Sequence, residues 1–234
     1  MKKTKLMRAA LLLLVLTLIT SCFVGGTFAK YTTSEKGSDT ARVAKWGVEI
    51  TANGATFAEA YDADTKKVVD AITNSVIAKS VVSAGTDKVV APGTKGNMVG
   101  MTITGTPEVA VRVNYVADFK VENWTVDGKF YCPLHIKVGN TVIDGAGFDN
   151  KAAFEDAVND EISTYSKSYA AGTDLNTAGV TAPSVSWEWP FEHTGASAGT
   201  GGNPQTNEND TKLGNAETAP TVTLTITTTV DQIN

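Results

Sequence analysis

The clearest pattern along the chain is a strict alternation of apolar and threonine side chains near the C-terminus. In TVTLTITTTV, residues 221–230, four apolar side chains share one face: Val222, Leu224, Ile226 and Val230. The other face carries a threonine at every second position. Because successive side chains of a β-strand point to opposite faces, we predict an antiparallel strand with one buried face and one threonine-lined outer face.

Shorter apolar runs predict further strands along the chain. They are VAKWGVEI at 43–50, one or two strands within 74–93, NMVGMTITG at 97–105, EVAVRVNYVADF at 108–119, ENWTVDGKFYCPL at 122–134 and LHIKVGNTVID at 134–144. Asp127-Gly128 lies between two apolar flanks and predicts a type I′ hairpin, in which both central residues need positive φ. Gly139-Asn140 predicts the same turn again. Turn signals at this spacing are typical of an all-β sandwich or barrel.

One helix and one long loop interrupt the strands. After Asp149, a good N-cap, apolar and aromatic side chains recur at helical spacing from Phe154 to Tyr169. This predicts an inserted helix at about 149–169 that packs on a sheet edge or an open end. The stretch at about 195–219 is rich in Gly, Asn, Thr and Ser and is predicted to be a long loop.

The N-terminal 29 residues have the pattern of an export signal. Four basic residues form a positive head: Lys2, Lys3, Lys5 and Arg8. The apolar run Ala9–Ile19 is too short to cross about 30 Å of hydrocarbon but suits a signal peptide. Small residues at Thr27 and Ala29 predict cleavage between Ala29 and Lys30. Two alternatives stay open, an uncleaved anchor and a lipoprotein lipidated at Cys22.

Cleavage at this bond leaves 205 residues and shifts the net charge from −5 to −9. This acidic balance argues against nucleic acid and stable membrane association as partners. The predicted organisation is a signal peptide at 1–29, a flexible N-terminal arm at 30–42 and a single β-sandwich domain at 43–234. Cys132 is then the lone cysteine, so no internal disulfide forms, and we expect it to be a small buried side chain.

No catalytic pattern is visible, so the chain is predicted not to be an enzyme and to hold no cofactor. His135 and His193 are its two histidines, and neither has the partner that an HExxH zinc site needs. Asn207–Asp210 offers oxygen ligands for Ca²⁺ but lacks the EF-hand spacing. Trp187 and Trp189 point the same way on a predicted strand, either as a binding surface or as a core cluster beneath the loop.

The end of the export signal carries a resemblance. The segment GGTFAKYTTSEKGSDTARVAKWGVEI, residues 25–50, resembles the N-terminus of the TasA/camelysin family of Gram-positive bacteria, whose precursors are cut by a dedicated signal peptidase (SipW). VVAPGTKG at 89–96 and the stretch WEWPFE…NENDTKLG within 187–214 resemble a clostridial branch of such proteins. The resemblance implies a jelly-roll β-sandwich that is secreted and assembles into biofilm matrix fibres.

In that family each subunit offers its N-terminal arm to its neighbour as an extra strand. Here the resemblance implies an arm that starts with Lys30, Tyr31, Thr32 and Thr33 and ends near Asp39. The leading prediction is therefore a secreted, non-enzymatic structural protein of the extracellular matrix or cell surface that self-associates and meets a signal peptidase during export. The alternatives are a secreted camelysin-like metalloprotease and a surface module that binds glycan or protein.

Overall fold

The structure is a computed structural model that describes residues 32–36, 41–42, 48–52, 56–63, 78–98, 101–176, 180, 182–193 and 204–233. All of these residues lie in the compact unit Thr32–Asn234. The predicted signal peptide, its cleavage bond after Ala29 and the alternative lipidation site Cys22 lie outside the described residues.

Fifteen strands and two α-helices make up the described ranges. The strands are β1 (Thr32–Lys36), β2 (Ala41–Arg42), β3 (Glu49–Ala52), β4 (Ala60–Asp62), β5 (Lys79–Val82), β6 (Lys95–Met98), β7 (Met101–Thr104), β8 (Val111–Glu122), β9 (Thr125–Val126), β10 (Lys129–Phe130), β11 (His135–Val138), β12 (Thr141–Asp144), β13 (Lys167–Tyr169), β14 (Val185–Glu188) and β15 (Thr221–Gln232). The helices are α1 (Lys151–Ser163) and α2 (Asn207–Gly214), and a 3₁₀ turn covers Gly145–Gly147. The predicted all-β class is confirmed.

Two four-stranded sheets carry most of the pairing. The first has the strand order β1-β15-β8-β13, and the second has the order β12-β11-β14-β6. Three smaller sheets are β2-β3-β7, β4-β5 and β9-β10. Each of these pairings is antiparallel.

The long pair β8–β15 forms the centre of the first sheet. Its register runs from Thr221 opposite Glu122 to Gln232 opposite Val111. The predicted C-terminal strand is confirmed, and its even-numbered side chains face inward. Thr228 occupies one of these inward positions with 1% exposure, and its hydroxyl donates to Met101 Sδ. This hydrogen bond allows a hydroxyl in an otherwise apolar stripe.

One hydrophobic core draws on both large sheets and on α1. The first sheet contributes Val113 and Ile226, and the second contributes Ile136. Phe154 is fully buried on α1 and meets Phe119 of β8 edge-to-face, with ring centroids 5.3 Å apart. Sheets and helix therefore bury their apolar faces against one another rather than in separate clusters.

The two predicted hairpin turns differ in conformation. Asp127 and Gly128 have φ of 52° and 75°, as a type I′ turn requires, so this turn is confirmed. Gly139 has φ of 58°, but Asn140 is not among the positive-φ residues. The second turn does join β11 to β12, but the prediction of type I′ is wrong there. A positive φ at the first central residue alone is the pattern of type II′, which also favours glycine at that position.

The inserted helix is shorter than predicted. It begins after Asn150, whose side chain accepts from the Ala153 amide at 3.0 Å, and it ends at Ser163. The predicted range 149–169 is wrong at its C-terminal end, because Lys167–Tyr169 pairs with β8 as β13. The prediction that the helix packs on a sheet edge is confirmed, since α1 lies along β8.

The predicted loop at 195–219 is also wrong in part. Asn207–Gly214 forms α2, which begins after Thr206, whose hydroxyl accepts from the Asn209 amide at 3.1 Å. The helix buries Leu213 against the core.

Candidate functional site

The segment after the predicted cleavage bond lies at one edge of the first sheet. Thr32–Lys36 forms β1, which pairs with β15 from Thr32 opposite Asp231 to Lys36 opposite Thr227. β1 is the terminal strand of that sheet. Of the predicted arm residues, Thr32 and Thr33 therefore lie in β1, while Lys30 and Tyr31 lie outside the described residues.

The β15 backbone serves two neighbours at once. The Ile233 amide donates to the Ala110 carbonyl at 2.9 Å, just beyond the end of β8. Backbone groups alternate sides along a strand, so odd-numbered residues of β15 turn toward β8 and even-numbered ones turn toward β1. Val230 and Thr228 consequently offer their amide and carbonyl groups to β1. The edge that β1 occupies is a row of main-chain donors and acceptors that another extended segment also fits.

The arm is thus paired within the same chain in this structure. The prediction was a flexible segment at 30–42, whereas Thr32–Lys36 and Ala41–Arg42 are strands. Ala41–Arg42 pairs with Glu49–Ile50 of β3. The polar sequence TTSEK suits an edge strand, because backbone pairing rather than side-chain burial holds such a strand in place.

Trp187 and Trp189 belong to the core rather than to a binding surface. They are 3% and 5% exposed. The Trp187 indole donates to the Thr56 carbonyl at 2.8 Å and lies over Gly96, where a Cβ would come within 2.6 Å of Nε1. Trp189 packs against Trp124 with ring centroids 5.4 Å apart. Of the two alternatives, the core cluster is the one that the structure contains.

A buried polar cluster joins three separate segments, and no motif in the sequence indicates it. The Tyr131 hydroxyl donates to Asp210 Oδ1 at 2.6 Å. His193 Nε2 lies 2.9 Å from Asp210 Oδ2, with 7% and 5% of the two side chains exposed. Burial, with the hydrogen bond to Asp210 next in weight, raises the pKa of Tyr131 above its ordinary value. The cluster ties α2 to the chain after β10 and after β14.

The same cluster includes part of Asn207–Asp210, the segment whose oxygens offer ligands for Ca²⁺. Asn207–Asp210 is the first turn of α2, not a ligand loop. Both oxygens of Asp210 face Tyr131 and His193, and the Asn209 amide group donates to the Pro204 carbonyl at 2.8 Å. Glu208 lies 3.3 Å from Lys212. The carboxylates of Asp210 and Glu208 are therefore each engaged by side chains of the protein.

His135 and Cys132, the other two candidate residues, both have surroundings that indicate a structural role. His135 of β11 is half-exposed and lies 3.5 Å from Asp144 across the hairpin. Cys132 is 1% exposed, as expected of a small buried side chain, and burial raises the pKa of its thiol above the ordinary value. A thiol held protonated in this way is a poor nucleophile.

Among the described residues, no three His, Cys, Asp or Glu side chains come together as metal ligands would. No helix within the described ranges is long and apolar enough to cross a membrane.

The chain was also compared with known proteins. No family model, curated protein or solved structure matches it. The resemblance to the TasA/camelysin family stays a prediction from the quoted motifs.

Proposed function

We propose that this chain is a secreted, non-enzymatic structural protein that self-associates in the extracellular matrix or on the cell surface by exchanging β1 between copies. One observation carries the proposal. The residues just after the predicted cleavage bond form a terminal strand, Thr32–Lys36, that pairs along its length with β15. A signal peptidase is the partner during export, and a second copy of the chain is the partner afterwards.

Exchange of this strand costs little in hydrogen bonds. A β1 strand from a second copy makes the same main-chain bonds to β15 that the chain's own β1 makes. The opposing terms are the entropy of association and the release of the original strand. Cleavage after Ala29 frees the N-terminal end of β1, which lets it leave β15 and reach a neighbour.

The proposed architecture is a jelly-roll-like β-sandwich. Its support is that residues from both four-stranded sheets enter one core, with Val113 and Ile226 from the first and Ile136 and Val185 from the second. In such a sandwich the β1 position is a sheet edge, where an extended segment from outside adds without disturbing the core.

A disulfide across β1 and β15 tests the exchange. Ser34 lies opposite Thr229, and because odd residues of β15 turn toward β8 this is a non-hydrogen-bonded pair, with Cα atoms about 4.5 Å apart. That spacing accepts a disulfide. We expect the secreted chain Lys30–Asn234 carrying Ser34→Cys and Thr229→Cys to stay monomeric when oxidised at low concentration. Its reduced form is expected to polymerise like the unsubstituted chain, as measured by light scattering and electron microscopy.

The matched control places a disulfide in a pair that does not exchange. Lys120→Cys with Thr223→Cys lies on the exposed face of β8 and β15, where the two residues are partners. This oxidised control is expected to polymerise, and a chain beginning at Arg42 is not. Equal polymerisation of the oxidised Ser34–Thr229 variant and its reduced form would exclude strand exchange. Failure of the unsubstituted chain to associate at all would exclude the structural role.

A further inference from the structure

The other edge of the first sheet, on the β8 side, is only partly covered by a strand. β13 covers only Val111–Val113 of β8, although β8 continues to Glu122. In an antiparallel sheet the uncovered stretch turns every second amide toward the open edge. A long strand with such a row of free amides is a template for pairing with another chain.

Side chains from α1 and the residues after it bind three of these amides. The Val121 amide donates to Glu155 Oε1 at 2.8 Å, and the Phe119 amide donates to Asn159 Oδ1 at 2.9 Å. The Tyr115 amide donates to Ser166 Oγ at 3.0 Å.

The spacing explains how a helix can match a strand edge. Glu155 and Asn159 are four residues apart on one face of α1, a rise of about 6 Å. Their amide partners, Val121 and Phe119, are two strand residues apart, about 6.8 Å. α1 runs antiparallel to β8. Successive acceptors along the helix therefore lie opposite successive outward amides of the strand. Lys151 continues the series with an ion pair to Glu122 at 2.5 Å.

Apolar packing holds the helix in this position. Phe154, Val158 and Ile162 of α1 are fully buried. They lie four residues apart, and the first two are next to Glu155 and Asn159, which supply the acceptors. The helix is therefore fixed by its apolar stripe, and its neighbouring polar stripe is directed at the strand edge.

We infer that Glu155, Asn159 and Ser166 determine the specificity of self-association by closing the β8 edge against a strand from a second copy of this chain. Association through this sheet is then confined to its β1 side. An incoming strand at β8 has to displace the acceptors that already bind the Tyr115, Phe119 and Val121 amides. This inference rests on the proposed self-association, and its test uses a chain whose β1 is locked in place, so that the two proposals can fail separately.

The test removes the acceptors in a chain that cannot exchange β1. The base is Lys30–Asn234 with the oxidised Ser34–Thr229 disulfide, to which Glu155→Ala and Asn159→Ala are added. We expect this variant to associate at a concentration roughly tenfold or more below that of its parent, given the net worth of two backbone hydrogen bonds. Sedimentation velocity over a concentration series measures this.

Amide hydrogen exchange locates the contact. In the alanine variant, the amides of Phe119 and Val121 are expected to exchange rapidly when dilute and to become protected as concentration rises. A purely stabilising role of α1 predicts rapid exchange at every concentration.

Two control variants distinguish the loss of hydrogen-bond acceptors from a change in charge. Glu155→Gln with Asn159→Asp keeps an acceptor oxygen at both sites and leaves the net charge unchanged, so it is expected to behave as the parent. Asp156→Ala removes one exposed negative charge from the same helix and is expected to do the same. The inference is overturned if the alanine variant stays as monomeric as its parent, or if Asp156→Ala associates equally. If the double alanine variant does not fold, each single alanine variant is measured under the same criteria.

Discussion

At the scale of single residues, the Asp210 carboxylate has exchanged water for two protein partners. Its oxygens lie 2.6 Å from the Tyr131 hydroxyl and 2.9 Å from His193 Nε2. A buried carboxylate without partners is strongly destabilising, whereas one with a donor at each oxygen is tolerated. Asp210 is therefore the residue through which α2 is held to two distant segments.

We predict that Asp210→Ala lowers the free energy of unfolding by about 3–5 kcal/mol, because it removes at once the acceptor that two buried side chains, Tyr131 and His193, share. Tyr131→Phe is expected to cost about 1–2 kcal/mol, since it removes one donor and leaves His193 in place. Urea unfolding followed by tryptophan fluorescence measures both. Asp156→Ala, on an exposed helix face, is the control and is expected to change stability by no more than about 0.5 kcal/mol. Equal costs for Asp210→Ala and Asp156→Ala would contradict the role given to the cluster.

The sequence contained no local signal for this cluster. Tyr131 and Asp210 are 79 residues apart, and His193 and Asp210 are 17 apart. A pattern within one segment reports which face a side chain takes, but not which distant side chain it meets. The local sequence therefore indicates Asn207–Asp210 only as a source of oxygen ligands for Ca²⁺, whereas the Asp210 carboxylate binds Tyr131 and His193 within the fold.

At the scale of elements, the turn of the β9–β10 hairpin requires a glycine at position 128 because of its backbone conformation and not because of crowding. Its φ is 75°, and a Cβ there would meet nothing within 4 Å. We predict that Gly128→Ala destabilises the protein by about 1–2 kcal/mol, because an L-residue is strained in the left-handed region even where space is free. Thermal unfolding measures the loss.

Two variants show whether the cause is φ. Gly128→Asn is expected to be milder than Gly128→Ala, since asparagine tolerates the left-handed region. Gly147→Ala has equally open space without a positive φ, and it is expected to be neutral or slightly stabilising. A Gly147→Ala cost equal to that of Gly128→Ala would show that lost glycine flexibility, not the turn conformation, is responsible.

The elements differ in how well their sequences predicted them. β15 was predictable because its alternation is long and uninterrupted. The end of α1 was not, because Tyr165 and Tyr169 keep helical spacing while Lys167–Tyr169 pairs with β8. Tertiary pairing overrode a local pattern there. The stretch 195–219 was predicted as a loop because α2 is only eight residues long and buries only Asp210 and Leu213.

At the scale of the whole molecule, regular turn signals were enough to predict an all-β chain but not its strand order. β1 and β15 come from opposite ends of the described sequence and are neighbours in one sheet. The alternation of apolar and polar residues in a strand indicates which side chains face inward. It does not indicate which other strand is its neighbour in the sheet. The position of the N-terminal segment, on which the proposed exchange depends, is therefore a result of the structure alone.

Buried acids in different parts of the fold make its stability sensitive to alkali. Burial is the first cause that raises the pKa of the Cys132 thiol and of the Tyr115 and Tyr131 phenols above their ordinary values of 9.0 and 10.0. The folded state therefore keeps these protons while the unfolded state releases them. The stability that they contribute is complete below pH 9 and declines as pH rises, by about 1.4 kcal/mol per pH unit for each group past its ordinary pKa.

We predict that Cys132→Ala removes the part of this decline that begins near pH 9 and leaves the part that begins near pH 10. The reason is that the thiol titrates first in the unfolded chain, and the two phenols follow. Urea unfolding at intervals from pH 8 to pH 11 measures the slope, which is independent of the constant cost of replacing a buried side chain. Equal slopes between pH 9 and pH 10 with and without Cys132 would mean that the thiol ionises in the folded protein. That result would contradict the place of Cys132 in the same hydrophobic core as Leu134.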